Sequence, residues 1–339
     1  MTTRAAQHAV FPKDRRVTVS DGTEIAYTVV GDGDRTPVAF LNGWTCPDAY
    51  WARTAKAVVA AGHRAVLLDA RGHGESGLPR PARLLHDDDV SVRRVATDVV
   101  EVLRDAGIDQ AVLAGHSMGV QSLFEAWSVD SSRIAGLVPC AGTFENPVPT
   151  FADKAWLDKL FPIAEKLFGR LPLHLVRYPM AHAHRTPTGL TMRALRTLRV
   201  ANEVVEYADV APHVRQFADL DLGVLWRMMV QMRRHSAAEI LPTITVPVLV
   251  LAGRRDTFTP MSVQRKMESL LPDAEVVVFE NGGHLLPVEE AEGVAAALVD
   301  WLDRRVDAPS TSGRGRPRRS AARDGQASPS RPRPARPRR

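Results

Sequence analysis

The sequence predicts an α/β protein with a mostly parallel sheet, and two observations carry this prediction. Short, continuous apolar runs alternate with segments whose apolar residues recur at helical spacing, as in proteins whose sheet is covered by helices on both faces. One apolar run, Ala111–Ala114, passes through the sequence GHSMG at 115–119 directly into the helical pattern of Val120–Val129. The rest of the chain is organised around this order of strand, sharp turn and helix.

The predicted elements begin with a hairpin, because Arg16–Ser20 and Glu24–Val30 alternate with period two around Asp21-Gly22. We therefore expect the sheet to start antiparallel. The further strands are predicted at Pro37–Leu41, His63–Asp69, Ala111–Ala114, Ile134–Val138, Val246–Ala252 and Glu275–Phe279. The helices are predicted at Tyr50–Ala61, Val90–Ala106, Val120–Val129, Met261–Leu271 and Val288 to about Arg304.

The alternation is interrupted once, between residues 144 and 240, where helical, aromatic and methionine-rich segments contain no convincing strand. This segment is predicted to be an inserted helical lid. The remaining parts are an α/β core at 16–143 and 241–306, an N-terminal extension at 1–15, and an Arg/Pro-rich tail at 307–339. Because the tail cannot bury apolar area, we expect it to be disordered.

The net charge of +5 is a property of this tail. Residues 308–339 hold ten arginines and one acid, a charge of +9, which leaves −4 for residues 1–307. The basic balance therefore does not describe the folded part, and no specific nucleic-acid partner is predicted. Weak nonspecific contact of the tail with nucleic acid or anionic surfaces is the one alternative.

The chain has two cysteines, Cys46 and Cys140, which exclude a disulfide framework and a cysteine-rich zinc site. We expect both to be small buried hydrophobic residues. Residues 1–20 lack the apolar core of a signal peptide, and no segment approaches about 20 apolar residues, so a cytoplasmic protein without membrane contact is expected. The lid histidines lack the spacing of metal ligands, and no metal or other cofactor is predicted; they are His174, His182, His184, His213 and His235.

Ser117 is the candidate nucleophile, because a Gly-x-Ser-x-Gly turn between strand and helix holds the serine hydroxyl clear of the sheet. Gly115 and Gly119 leave room where a larger side chain would collide with a neighbouring strand or helix. A serine hydroxyl needs a base, usually histidine, and the histidine needs a carboxylate. Asp256 and His284 each follow a predicted strand, and the order Ser, Asp, His is the one typical of this architecture.

Four segments together resemble the α/β-hydrolase superfamily over about residues 16–304. They are the GHSMG elbow, DARGHGES at 69–76, GRRDTFTP at 253–260 and GGHLLPVEE at 282–290. The resemblance implies an eight-stranded, mostly parallel sheet flanked by helices, with a lid after the sixth strand. It also implies Ser117 as nucleophile, His284 as base and Asp256 as acid, with Glu145 as a reserve acid.

The resemblance further implies that the backbone N–H groups of Trp44 and Met118 form the oxyanion hole. This chain has Asn42-Gly43 where the family usually has His-Gly. Because the donors are backbone groups, the asparagine leaves the hole possible but could change how the loop is held. His73 and His116 stand inside family motifs, where we expect them to support loops rather than react.

We therefore predict a serine hydrolase that cleaves an ester or thioester of a largely apolar small molecule through an acyl-enzyme, without a cofactor. The aromatic and methionine side chains of the lid favour an uncharged substrate. One alternative keeps the triad for C–C bond hydrolysis, lactone opening or perhydrolysis of the haloperoxidase type. A second is a small-molecule receptor with little turnover. The oligomeric state is left open.

Overall fold

The computed structural model describes residues 11–151, 154, 156–168, 186–197 and 201–308. An eight-stranded sheet forms its centre, in the order β1-β2-β4-β3-β5-β6-β7-β8. Its strands are β1 Arg15–Thr18, β2 Glu24–Val30, β3 Arg35–Leu41, β4 His63–Leu68, β5 Ala111–His116, β6 Ile134–Cys140, β7 Val248–Gly253 and β8 Ala274–Phe279. The pairs β1–β2 and β2–β4 are antiparallel and the others are parallel. The predicted fold class is confirmed, including the antiparallel start.

Helices connect most of the strands. They are α1 Ala52–Ala60, α2 Val92–Asp105, α3 Met118–Asp130, α4 Trp156–Phe168, α5 Thr188–Thr197, α6 Tyr207–Asp219, α7 Leu222–Arg234, α8 Met261–Leu270, α9 Leu286–Glu289 and α10 Ala291–Trp301. Helices α4 to α7 all lie in the chain between β6 and β7. Within the described part of residues 144–240 there is no strand, so this insertion is helical where the structure describes it.

The sheet is buried on both faces, which explains the continuous apolar runs of its strands. Successive residues of a strand point to opposite faces, and in β3 Val38 and Phe40 belong to one core cluster while Ala39 and Leu41 belong to another. The first cluster also contains residues of α1 and α10, and the second contains residues of α2 and α3. The helices therefore form one layer on each side of the sheet.

Two helix predictions need correction. The segment predicted as one helix from Tyr50 starts as a 3₁₀ turn at Asp48–Trp51 before α1 begins. The last helix, predicted as continuous from Val288, is α9 and α10 with a break at Glu290, whose φ of −126° and ψ of 37° are not helical. The carboxylate of Glu289, just before the break, accepts hydrogen bonds from backbone N–H groups of two loops, so these loops fix the end of α9.

The N-terminal segment contacts the core from residue 11 onward. Phe11 packs in the cluster beneath α10, and the buried Lys13 ammonium donates a hydrogen bond to the Asp48 carboxylate. The tail, for which disorder is predicted, lies outside the described residues from 309 onward. Among the residues that the structure describes, no helix is both long enough and apolar enough to cross a bilayer.

The turn between β5 and α3 is as tight as the two glycines predict. A Cβ at Gly115 would lie 2.4 Å from the carbonyl oxygen of Gly119, and one at Gly119 would lie 2.5 Å from that of Leu41. Real Cβ atoms do not approach backbone oxygens this closely. Only glycine at both positions allows β5, α3 and the neighbouring β3 to meet around Ser117.

We expect Gly115→Ala to lower the free energy of unfolding by about 1 to 3 kcal/mol, because the new methyl group must push α3 away from β5. Urea denaturation monitored by circular dichroism measures the effect. Gly189→Ala in α5 is the control, since its Cβ would meet nothing within 4 Å. Alanine there is expected to stabilise the helix by up to about 1 kcal/mol. A Gly115→Ala protein as stable as wild type would contradict this account of the turn.

Candidate active site

Ser117 lies between the last residue of β5 and the first of α3, with the strained backbone that this turn imposes. Its φ is +54°, in the left-handed region that residues other than glycine rarely adopt. Its N–H donates to the carbonyl oxygen of Cys140 at the end of β6, at 3.2 Å. The backbone of the candidate nucleophile is therefore fixed to the neighbouring strand, and strain of this kind is typical of functional sites.

A continuous chain of hydrogen bonds joins the three predicted site residues. His284 Nε2 lies 3.1 Å from Ser117 Oγ, and His284 Nδ1 lies 3.0 Å from Asp256 Oδ2. Asp256 follows β7 and His284 follows β8, so the parallel strands deliver both side chains to the edge of the sheet where β5 ends. The arrangement allows Nδ1–H to donate to the carboxylate while Nε2 accepts the serine proton.

The Asp256 carboxylate is buried and strongly hydrogen-bonded. It accepts from the N–H of Phe258 at 2.7 Å and from the N–H and hydroxyl of Thr259 at 3.0 and 2.6 Å. Burial by itself would raise the pKa of Asp256, but the nearby His284 and the bonds from Thr259 outweigh it and hold the pKa below its usual value. The carboxylate is therefore ionised at neutral pH, as the partner of a histidine that gains a proton must be.

Glu145, the reserve acid, lies elsewhere. Its Oε1 accepts a hydrogen bond from Lys266 Nζ at 2.6 Å, and none of the hydrogen bonds among the described residues joins it to His284. The structure thus places Asp256, and not Glu145, against the histidine.

The loop after β3 lies against Ser117 because Gly43 lets it approach. A Cβ at Gly43 would be 3.1 Å from Ser117 Cβ and 3.0 Å from His116 Nδ1. No hydrogen bond within the described part of the chain uses the backbone N–H of Trp44 or Met118, and both residues line the same cavity as Ser117. Two N–H groups without protein acceptors beside a nucleophile are what an oxyanion hole requires.

Asn42 anchors the same loop to β4. Its side-chain Nδ2 donates to the carbonyl oxygen of Leu68 at 3.3 Å, and the residue is buried. The asparagine that replaces the usual histidine therefore still ties the loop to the neighbouring strand.

Two histidines support the site through hydrogen bonds to backbone groups of neighbouring loops. His116 Nε2 lies 2.8 Å from the carbonyl oxygen of His284, and burial, reinforced by the nearby His284, lowers the pKa of His116 to about 3. The ring is therefore neutral and donates this hydrogen bond. His73 Nε2 accepts from the N–H of Thr45 at 3.3 Å, and burial likewise lowers the pKa of His73. Both histidines hold loops, in the way that the sequence predicts.

Three contacts were not predicted from the sequence. The Phe258 ring stacks on the His284 imidazole with centroids 4.7 Å apart. Glu289 accepts from the N–H of Gly283, next to that histidine. His213 on α6 contacts Thr45 in the loop after β3. Phe258 and Glu289 lie within GRRDTFTP and GGHLLPVEE, so those two motifs could have marked them, whereas His213 lies in an insertion without a motif.

The two cysteines are buried and free. Burial raises the pKa of Cys46 to about 12 and that of Cys140 well above its usual value. Among the residues that the structure describes, no group of three or more His, Cys, Asp or Glu side chains could hold a metal ion. His174, His182 and His184 lie outside the described residues.

A cavity of about 620 Å³ opens over Ser117 and His284, within the range of small-molecule sites. Helices α5, α6 and α7 supply much of its wall, including Leu190, Leu195, Phe217, Met229 and Met232. Its polar lining consists of neutral groups such as threonine hydroxyls and amides together with His213 and His284. Over the described chain, no Lys, Arg, Asp or Glu side chain lines it. Met229 and Met232 of the methionine-rich insertion thus line the cavity, whereas Trp156, one of its aromatic residues, is 54% exposed.

The chain belongs to the family described as alpha/beta hydrolase fold, whose model matches residues 36–291.

Individual relatives differ in activity. The bifunctional esterase/perhydrolase DCH of Acinetobacter calcoaceticus is 25% identical, over 84% of this chain and 98% of its own. The 2-hydroxy-6-oxononadienedioate/2-hydroxy-6-oxononatrienedioate hydrolase of a Pseudomonas species is 27% identical, over 81% of this chain and 90% of its own. Among solved structures, the enol-lactonase of Burkholderia xenovorans LB400 shares the fold with a TM-score of 0.64 at 20% identity, covering 85% of this chain and 99% of its own.

Proposed function

We propose that this protein is a serine esterase acting on uncharged, largely apolar esters or thioesters. The observation that carries the proposal is the hydrogen-bonded chain from Ser117 through His284 to Asp256 at the wall of an apolar cavity. A serine in this setting has what acyl transfer needs: a base within reach and a carboxylate that orients the base.

The mechanism follows from the positions of these groups. His284 Nε2 removes the proton of Ser117 as Oγ bonds to the ester carbonyl carbon, and the carbonyl electron pair moves onto its oxygen. The N–H groups of Trp44 and Met118 stabilise that oxyanion. Collapse breaks the bond to the alcohol or thiol, which leaves with the proton from His284. Water, deprotonated by His284, then attacks the acyl-enzyme and releases the acid while Ser117 regains its proton.

The cavity supports the substrate class. The part of the wall that the structure describes has no lysine or arginine, so a substrate carboxylate bound against it would lose hydration without gaining a cationic partner, and charged acyl chains are disfavoured. This argues against dicarboxylates of the kind named for the Pseudomonas relative. We also infer that the insertion at 144–240 is the lid of this site, supported by the contribution of α5, α6 and α7 to the wall.

Two alternatives with the same triad, perhydrolysis and lactone opening, would also pass through an acyl-enzyme. Perhydrolysis would replace the attacking water by hydrogen peroxide, and lactone opening would keep both products in one molecule. Both leave the roles of Ser117 and His284 unchanged. Comparison of product formation with and without peroxide separates perhydrolysis from hydrolysis.

A matched pair of substrates tests the proposal. We expect kcat/KM for p-nitrophenyl hexanoate to exceed that for the p-nitrophenyl monoester of adipate by at least about 100-fold, since the second carries a carboxylate where the first carries a methyl group. Release of p-nitrophenol at pH 7 measures both. Equal rates or a preference for the adipate ester would contradict an uncharged substrate. No hydrolysis of any ester from acetate to octanoate would favour the receptor alternative.

A further inference from the structure

Thr45, the residue after the proposed oxyanion donor Trp44, has an unusual backbone. It is buried and its φ is +66°, a conformation that a β-branched residue adopts only when its surroundings impose it. Thr45 and Trp44 are the central residues of a turn closed by a hydrogen bond from Cys46 N–H to Gly43 O at 3.0 Å. In turns of this kind, positive φ at the third residue is normally taken by glycine or asparagine.

Every polar atom of Thr45 has a partner that opposes relaxation of this turn. Its N–H donates to His73 Nε2 at 3.3 Å, and its carbonyl oxygen accepts from Gln216 Nε2 at 3.4 Å. Its hydroxyl lies 3.1 Å from His213 Nε2. Two of the three partners, His213 and Gln216, belong to α6, which lies in the insertion and not in the hydrolase core.

His213 is itself held in place. Its Nδ1 is hydrogen-bonded to the buried hydroxyl of Tyr50, on the 3₁₀ turn that leads into α1. Burial, with a contribution from His73, lowers the pKa of His213 to about 4, so its ring is neutral at pH 7. A neutral imidazole bonded at both nitrogens has a fixed orientation.

The neighbouring Trp44 is tied to the insertion as well. Its indole Nε1 donates to the carbonyl oxygen of Leu225 on α7 at 3.1 Å, and its side chain packs against the apolar cluster to which Val224 and Met228 of the same helix belong. The turn that carries the oxyanion donor is therefore held from the outside by α6 and α7, while Gly43 keeps it against Ser117.

Resting on the proposed esterase function, we propose that His213 and Gln216 are positioning residues for the oxyanion hole. They hold the turn at 43–46 in its strained form and thereby keep the Trp44 N–H where the oxyanion develops. The insertion then does more than enclose the substrate: α6 determines whether the core is competent for acyl transfer.

The test separates stabilisation of the transition state from binding of the substrate. Gln216→Ala removes the hydrogen bond from Gln216 to the Thr45 carbonyl oxygen without altering the cavity wall, because Gln216 does not line the cavity. His213→Ala and Thr45→Val each remove the hydrogen bond between the His213 ring and the Thr45 hydroxyl. Thr45→Ser keeps that hydroxyl. Val214→Ala is the matched control, since Val214 lines the cavity beside His213 without bonding to the turn.

We measure kcat and KM for p-nitrophenyl hexanoate and the Ki of two inhibitors. One is an alkyl trifluoromethyl ketone, to which Ser117 adds to form a tetrahedral oxyanion. The other is the alkyl amide of equal length, which binds without forming one. In Gln216→Ala, His213→Ala and Thr45→Val we expect kcat to fall and the ketone Ki to rise by about 10- to 100-fold. This is less than the effect of losing an oxyanion donor completely, because the Trp44 N–H is displaced but still present.

The amide Ki should stay unchanged in Gln216→Ala, because Gln216 lies outside the cavity wall, and Thr45→Ser should keep most of the kcat that Thr45→Val loses. Unchanged kcat in Gln216→Ala and Thr45→Val, or equal weakening of both inhibitors in Gln216→Ala, would overturn the inference. If His213→Ala does not fold, Gln216→Ala and the Thr45 pair still decide. A wild-type protein that neither hydrolyses esters nor reacts with a fluorophosphonate would instead overturn the proposed function, and this inference with it.

Discussion

Ser117→Ala should lower kcat for ester hydrolysis by about 10⁵- to 10⁶-fold, the loss found when a triad nucleophile is removed. The reason is that no other hydroxyl is hydrogen-bonded to His284 Nε2 among the described residues. The cavity remains, so the variant should still bind the ester. Intact-protein mass after exposure to a fluorophosphonate gives a second measurement: we expect one adduct on wild type and none on the variant.

Ser122→Ala is the matched control for this experiment. Ser122 lies near the start of α3, the helix that follows Ser117, and its buried hydroxyl donates to the carbonyl oxygen of Met118 and not to a histidine. This variant should keep the adduct and the activity. An adduct that persists in Ser117→Ala would assign the nucleophile elsewhere, and a well-folded wild type without any adduct would show that Ser117 is not activated.

The position of Ser117 at the turn between β5 and α3 could be predicted because its causes are local. A strand, a turn that only glycine at 115 and 119 permits, and a helix follow each other within one short segment, so the sequence itself carries the constraint. Asp256 and His284 could be predicted for a different reason. In a parallel sheet the strand ends converge, so residues that follow two strands meet although 28 positions separate them.

The contacts that hold the turn at 43–46 could not be predicted, because their causes are not local. His213 is separated from Thr45 by 168 positions and sits in an insertion whose sequence has no motif. Nothing in the sequence distinguishes it from the other histidines of that segment. The positive φ of Thr45 could not be predicted either, since threonine in a sequence does not indicate a left-handed backbone as glycine does. The break at Glu290 likewise depends on tertiary hydrogen bonds of Glu289, which helical spacing does not reveal.

Asp256→Asn should lower kcat by about 10⁴-fold with little change in KM, because an amide no longer selects the Nδ1–H tautomer or stabilises the charged His284. Glu145→Gln is the matched control, as it makes the same chemical change in the reserve acid. Glu145 is paired with Lys266 at the surface, so this variant should stay within about twofold of wild type. The two variants are compared in the same p-nitrophenyl hexanoate assay after thermal unfolding has shown that both are folded.

The comparison also tests the electrostatic account of the site. The pKa of Asp256 is held down by His284 and Thr259, so its carboxylate carries the charge that the histidine needs throughout the neutral range. Asparagine keeps the shape of this residue but removes that charge, and a loss of kcat therefore measures what the charge contributes. If Glu145→Gln lost more activity than Asp256→Asn, the acid of the site would be Glu145, and the hydrogen bond between Asp256 and His284 would have only a structural role.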